Sequence, residues 1–223
     1  MRCASLGMAV ATSLVAVSLT QGTAEAAPVS CSGRQATIVG TAGSDRLSGT
    51  PGRDVIKGLG GDDVIRGNGR RDIICGDGGN DRVRGGRGMD RISGSAGGDR
   101  LSGGSQPDAV RGGAGPDRVN GGGLGDRLSG GNGKDAVNGG PGSDRVSGGT
   151  RGDVLTGQRG NDTFFGSAGG DRVTGGPGAD GMSGGPGDDN LNGVDQAPDD
   201  VLRGGSGNNV CVADPGDVRQ DCS

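Results

Sequence analysis

The chain has 223 residues and a formal net charge of −4, and its composition excludes an ordinary layered core: 29% of residues are hydrophobic and 1% aromatic, against 56 Gly. It lacks His, Trp and Tyr, and Phe164 and Phe165 are its only aromatics, which removes histidine acid–base chemistry and aromatic platforms for nucleic-acid bases. Glycine at this level without a period would mean disorder; with a period it means a solenoid.

Residues 1 to 26 read as a secretory signal peptide. Met1-Arg2 is a short basic start, Leu6 to Leu19 an apolar stretch, and Ala24-Glu25-Ala26 an A-x-A cleavage site, which places the mature start at Ala27. Arg2 and Glu25 leave together, so the mature charge stays at −4. The apolar stretch is too short to span a bilayer and no second one follows, so no membrane span is expected. Only Lys57 and Lys134 are Lys among 23 basic residues, a bias that points to GC-rich coding of the actinobacterial kind. Residues 27 to 39 form a degenerate first block and N-terminal cap, with Ala36 at the position later held by Asp and Ile38 at the apolar one.

From residue 40 to residue 192 the chain repeats every nine residues. The fixed acid is Asp45, Asp54, Asp63, Asp72, Asp81, Asp90, Asp99, Asp108, Asp117, Asp126, Asp135, Asp144, Asp153, Asp162, Asp171, Asp180 and Asp189, seventeen in one register. Two residues after each is an apolar side chain, from Leu47 to Leu191, and five residues before each is a Gly, from Gly40 to Gly184. A further Gly lies two residues before the Asp in thirteen blocks; Arg70, Gln106, Leu124 and Arg151 replace it in the others. Three of these four precede Asp72, Asp108 and Asp126, which share a column, so weaker metal binding is expected in the middle of that column. Each block divides into a six-residue turn and a three-residue strand whose central apolar residue alone points inward. Two blocks make one 18-residue coil. Ile56, Ile74, Ile92, Val110, Leu128, Val146, Phe164 and Met182 then stack on one wall, and Leu47, Ile65, Val83, Leu101, Val119, Val137, Leu155, Val173 and Leu191 on the other. The predicted fold is all-β, a parallel β-roll (β-solenoid) about 40 Å long at about 4.8 Å per rung.

After Leu191 the register slips by two residues and the pattern resumes at Asp200 and Leu202; Asn209 then replaces the Asp and Cys211 takes the apolar slot. Residues 193 to 223 read as a C-terminal cap. The mature chain keeps Cys31, Cys75, Cys211 and Cys222, which in an exported protein implies two disulfides with three possible connectivities. Nearness favours Cys211 with Cys222, tying the tail over the last rung, which would leave Cys31 with Cys75 to pin the N-terminal cap. Zinc is not expected, since the sequence has no CxxC pair and no His.

The repeat matches G-G-x-G-x-D-x-U-x, the pattern of calcium-binding parallel β-solenoids, and over about 150 residues the chain resembles the repeats-in-toxin family, also called hemolysin-type calcium-binding repeats. The resemblance implies calcium ions between turns i and i+18, each held by an Asp from either turn and by turn carbonyls. It also implies a Cys pair at each end. The ligand chemistry agrees, since carboxylates and backbone carbonyls are hard oxygen donors in a flexible loop. Nine Asp in one column (Asp45 to Asp189) leave eight gaps and eight in the other (Asp54 to Asp180) leave seven, giving a ceiling of about fifteen ions. A cation is also what the energetics demand. Ordering each residue costs roughly 1–2 kcal/mol of backbone entropy, whereas one buried aliphatic side chain per nine residues returns only about 1.5–3 kcal/mol.

The function expected is that of a secreted, extracellular calcium-binding module, structural or interactive, that folds on meeting calcium. An enzyme is not expected: no His is present, the Ser residues sit in turns and strands, and the Asp residues are assigned to metal. A non-catalytic remnant of a secreted hydrolase is a less favoured reading. Nucleic acid is not an expected partner, because the Arg-Gly-Gly matches at Arg84, Arg111 and Arg203 are fragments of the repeat. The alternative function is a calcium-loaded basic rod binding anionic cell-wall polymers or polysaccharides: Arg follows the fixed Asp directly in eight blocks, and fifteen divalent ions on a chain of −4 would bring it to +26.

Overall fold

The computed structural model describes residues 30–197 and 199–222; the expected signal peptide lies outside them. A two-stranded antiparallel hairpin, Ser30–Cys31 with Arg34–Gln35, precedes a parallel β-roll. The roll has a 10-stranded sheet running from Arg46–Ser48 to Val210–Val212 and an 11-stranded sheet running from Ile38–Val39 to Val218–Gln220. The chain alternates between them at each strand, so neighbours in a sheet are one coil apart: Val83 pairs with Leu101 and Leu101 with Val119, all at a spacing of 18 residues. At about 4.8 Å per rung the 11-stranded sheet is about 48 Å long. It exceeds the expected length because both caps stack as further rungs.

The two apolar walls meet as expected. Ile56, Val146, Leu155, Val173 and Leu191 are fully buried, and the larger Phe164 and Met182 are buried in the same core. Ile38 stands in register with Ile56, Met182 with Leu202 across 20 residues, and Leu191 with Cys211. The two-residue slip after Leu191 is thus absorbed in one turn and the stack continues.

The strands are longer than three residues in most rungs. The 11-stranded sheet holds six-residue strands such as Ile73–Gly78 and Arg127–Asn132, and Ile74 and Gly76 of the first are both buried. The inward residue of each block is therefore followed by a second inward position, the Gly that opens the next block. It is Gly for a steric reason. A Cβ on Gly103 would stand 2.7 Å from the carbonyl oxygen of Gly121 in the next coil and closer still to Oδ2 of Asp108.

Two disulfides close the ends, Cys31 to Cys75 and Cys211 to Cys222, with Cα separations of 5.9 and 5.7 Å. No helix among the described residues is long and apolar enough to cross a membrane.

Candidate metal centre

All seventeen fixed Asp residues fall into two columns, one along each side of the roll where a turn enters a strand. Asp54 and every later one are buried, between 0% and 7% exposed. Each carboxylate is used asymmetrically. From Asp63 onward its Oδ1 accepts the backbone N–H of the Asp one coil earlier, as Asp81 does from Asp63 at 2.9 Å and Asp108 from Asp90 at 2.7 Å. The peptide carbonyl of the same earlier Asp accepts the N–H that follows the later one, as Asp63 does from Arg82 at 2.8 Å. The carboxylate thus carries the sheet's ladder round the corner, satisfying a buried N–H that has no carbonyl opposite it.

The second oxygen has no such partner. In sixteen residues, Asp63, Asp72, Asp81, Asp90, Asp99, Asp108, Asp117, Asp126, Asp135, Asp144, Asp153, Asp162, Asp171, Asp180, Asp189 and Asp200, Oδ2 is buried and accepts no hydrogen bond. The electrostatics follow. Burial, reinforced by carboxylates of neighbouring coils and only partly offset by the N–H bonds, pushes Asp90, Asp108, Asp117, Asp126, Asp153 and Asp180 up to about 7. Asp81, Asp162 and Asp200 are raised to about 6, chiefly by burial. A buried anionic oxygen without a donor is costly unless a cation or a proton reaches it.

Asn209 shows what surrounds that oxygen. Its Oδ1 accepts the N–H of Asp189 at 3.0 Å, as an Asp would, and its Nδ2, standing where Oδ2 would be, donates to the carbonyls of Gly205 at 3.1 Å and Asp221 at 3.3 Å. The first is the residue four places earlier and the second belongs to the next coil. At the Asp rungs the carbonyl of the next coil faces the same opening Gly as Oδ2 does, Gly121 beside Asp108 at Gly103 and Gly76 beside Asp63 at Gly58. Oxygens converge there without a hydrogen between them, and a hard divalent cation fits that donor set. Among the described residues no three His, Cys, Asp or Glu side chains gather as a metal cluster, so an ion here takes most of its ligands from the backbone.

Backbone geometry turns the carbonyls. From Leu59 to Gly205, every residue four places before a column Asp or Asn has φ between 75° and 146°. Most are Gly, yet Leu59 at 82° and Gln158 at 87° adopt the same left-handed conformation. Of the four residues that replace Gly two places before the Asp, Leu124 at 66° and Arg151 at 77° are left-handed, while Arg70 and Gln106 are not.

Sequence reasoning left Asp200 and Asp217 out of the columns. Asp200 is 1% exposed and accepts the N–H of Asp180 at 2.7 Å, and Asp217 accepts that of Asp200 at 3.1 Å. The signal was present in the resumed spacing from Asp200 to Leu202.

A family model describing the RTX calcium-binding nonapeptide repeat (4 copies) matches residues 39–74, 75–110, 102–137, 111–146, 120–155, 147–182, 166–197 and 183–217. The chain belongs to this family. Its RTX repeats therefore span both walls of the roll and reach into the C-terminal cap, past the register slip. No curated protein matches the chain. Repeats of this family bind calcium, and the disulfides and repeats together are consistent with an extracellular protein.

Proposed function

We propose that this RTX protein is a secreted, non-catalytic β-roll that orders on meeting extracellular calcium and serves as a structural or interaction module. The observation that carries the reading is the set of sixteen buried Oδ2 atoms without a hydrogen-bond partner. The ligands are the column carboxylates from Asp63 to Asp189 together with Asp200, with turn carbonyls completing each shell. Bound calcium supplies the positive charge that the buried carboxylates lack. The chain's own part is to hold Oδ2 still, through Oδ1 and the N–H of the preceding coil, and to turn carbonyls toward it at left-handed positions. At a dissociation constant of about 0.1 mM, typical of extracellular modules, millimolar calcium contributes about 1.4 kcal/mol per site. Isothermal titration with calcium tests the reading: heat of binding at many equivalents supports it, and no binding at millimolar calcium overturns it.

A second reading, a basic rod that holds an anionic polymer, is favoured by one surface. Arg82, Arg100 and Arg118 stand in register on adjacent strands of the 10-stranded sheet, and Arg66 pairs with Arg84 beside them. These five line one groove of about 610 Å³ that also carries Ser102, Asn120 and Asn138. The one ion pair among the described residues is Lys57 with Asp77, elsewhere on the roll. Guanidinium groups at rung spacing without carboxylates suit a polymer with regularly spaced negative charge. Calcium-dependent, salt-sensitive retention on an immobilised acidic polysaccharide is expected to weaken when Arg82, Arg100 and Arg118 become Ser; equal retention by that variant discards the reading.

A further inference from the structure

The column rungs are not all alike. At Asp45 and Asp54 the second oxygen is already satisfied. Thr41 donates its backbone N–H at 2.6 Å and its hydroxyl at 2.9 Å to Oδ2 of Asp45. Thr50 does the same to Oδ2 of Asp54, at 2.7 and 3.0 Å. At the opposite end Asn209 places an amide nitrogen where Oδ2 would be and donates it to two carbonyls. Hydrogen thus stands at these three rungs where the sixteen between them have none.

The cause lies in the residue four places before the acid. Everywhere from Leu59 to Gly205 that residue is left-handed, whereas Thr41 and Thr50, which open the two columns, are not. A β-branched side chain resists positive φ, so the turn at Thr41 and Thr50 keeps its N–H and hydroxyl directed at the carboxylate. A hydroxyl in that position is not sufficient by itself: Ser95 and Ser167 also sit four places before an Asp, at φ of 88° and 80°, and Oδ2 of Asp99 and of Asp171 has no partner.

We infer that Asp45, Asp54 and Asn209 are metal-free rungs in which protein hydrogen-bond donors replace calcium, so that each end of the roll closes without the ion. The expected metal role of Asp45 and Asp54 gives way to a structural one. The distribution of disulfides supports this assignment independently. Cys31 to Cys75 ties the hairpin to the third strand of the 11-stranded sheet, beside the Asp45 and Asp54 rungs, and Cys211 to Cys222 ties the strand that follows Asn209 to the C-terminal tail. Both ends are therefore held by covalent bonds and hydrogen bonds. The sixteen intervening rungs depend on metal, and a partly ordered template waits at each end for the ions to extend. This inference rests on the calcium reading above.

The experiment counts ions. Native mass spectrometry of the mature, disulfide-intact protein in saturating calcium is expected to show no more than sixteen ions. Thr41→Gly with Thr50→Gly, which admits the left-handed turn and removes the hydroxyls, is expected to add two, and Asn209→Asp to add one. Hydrogen exchange of the wild-type protein in chelator gives the second readout: the amides of Thr41 and Thr50 are expected to be protected at least tenfold more than those of the central turns. Unchanged ion numbers in both variants, or uniform exchange from Thr41 through the central coils, overturns the inference. A wild-type protein that binds no calcium at all instead overturns the proposed function.

Discussion

Asp162 donates its backbone N–H to Oδ1 of Asp180 across one coil at 2.8 Å, while Oδ2 of Asp180 is buried without a partner. The two oxygens of one carboxylate thus carry different tasks, and substitution separates them. Asp180→Asn keeps the acceptor for Asp162 and puts a donor in place of the anionic oxygen, as Asn209 does naturally. It is expected to lose one calcium ion and the stability which that ion supplies, and no more. Asp180→Ala loses the same ion and also strands the Asp162 N–H, so it is expected to cost about 1–3 kcal/mol beyond Asp180→Asn. Native mass spectrometry and denaturant melts of both variants in saturating calcium check this pair of outcomes.

The Gly that opens each block is expected to be the least replaceable residue of the repeat. Gly103→Ala drives a Cβ against the Gly121 carbonyl and Asp108, and should cost about 1–3 kcal/mol of overpacking together with the calcium site beside it. Gly43, whose nearest neighbour to an added Cβ is Oγ1 of Thr41 at 3.8 Å, should accept Ala within about 0.5 kcal/mol. Thermal unfolding in calcium distinguishes the two.

Leu124 and Arg151 hold left-handed turns with L side chains, and Leu124 is 56% exposed. The conformation costs about 1–2 kcal/mol in a non-glycine residue, of which added chain entropy from glycine returns about 0.5–1 kcal/mol. Leu124→Gly and Arg151→Gly are therefore each expected to stabilise the calcium-loaded roll by up to about 1 kcal/mol. Arg70→Gly, at a position that is not left-handed, should give no gain. Melting temperatures of the three variants in calcium test this contrast.

The period was legible because each of its fixed residues answers a demand that recurs every coil. The apolar residue fills the core, the opening Gly lets two backbones and a carboxylate meet, and the Asp stands at the corner. The part that was not legible depends on direction rather than identity. Nothing in the string tells that Oδ1 of Asp81 serves the Asp63 N–H, which leaves only Oδ2 for metal. Nor does it tell that Thr50 turns toward Asp54 while Ser95 turns away from Asp99, since both are hydroxyl residues at the same offset and differ only in what φ they tolerate. Strand length was underestimated for a related reason: Gly76 has no side chain to mark it as an inward position.

In chelator the roll should be more stable in acid than at neutral pH. Asp81 is raised from 3.8 to about 6 on folding, and Asp90, Asp108, Asp126 and Asp180 to about 7, chiefly by burial. A group raised on folding contributes stability that is complete below its unfolded pKa and is lost as pH rises through the folded one. Metal-free β-structure is therefore expected to grow between pH 8 and pH 5. Protons compete with calcium for the same oxygens, so calcium affinity should fall over that interval. Circular dichroism in chelator and calcium titrations across the range measure the two opposed trends.

Far-UV circular dichroism of the mature, disulfide-intact protein at pH 7.5, recorded in chelator and again through a calcium titration, tests the central claim most directly. The account predicts a largely disordered spectrum in chelator that converts cooperatively to β-structure at millimolar calcium, with protease resistance appearing at the same concentration. A spectrum and a protease sensitivity that do not change on adding millimolar calcium would contradict it.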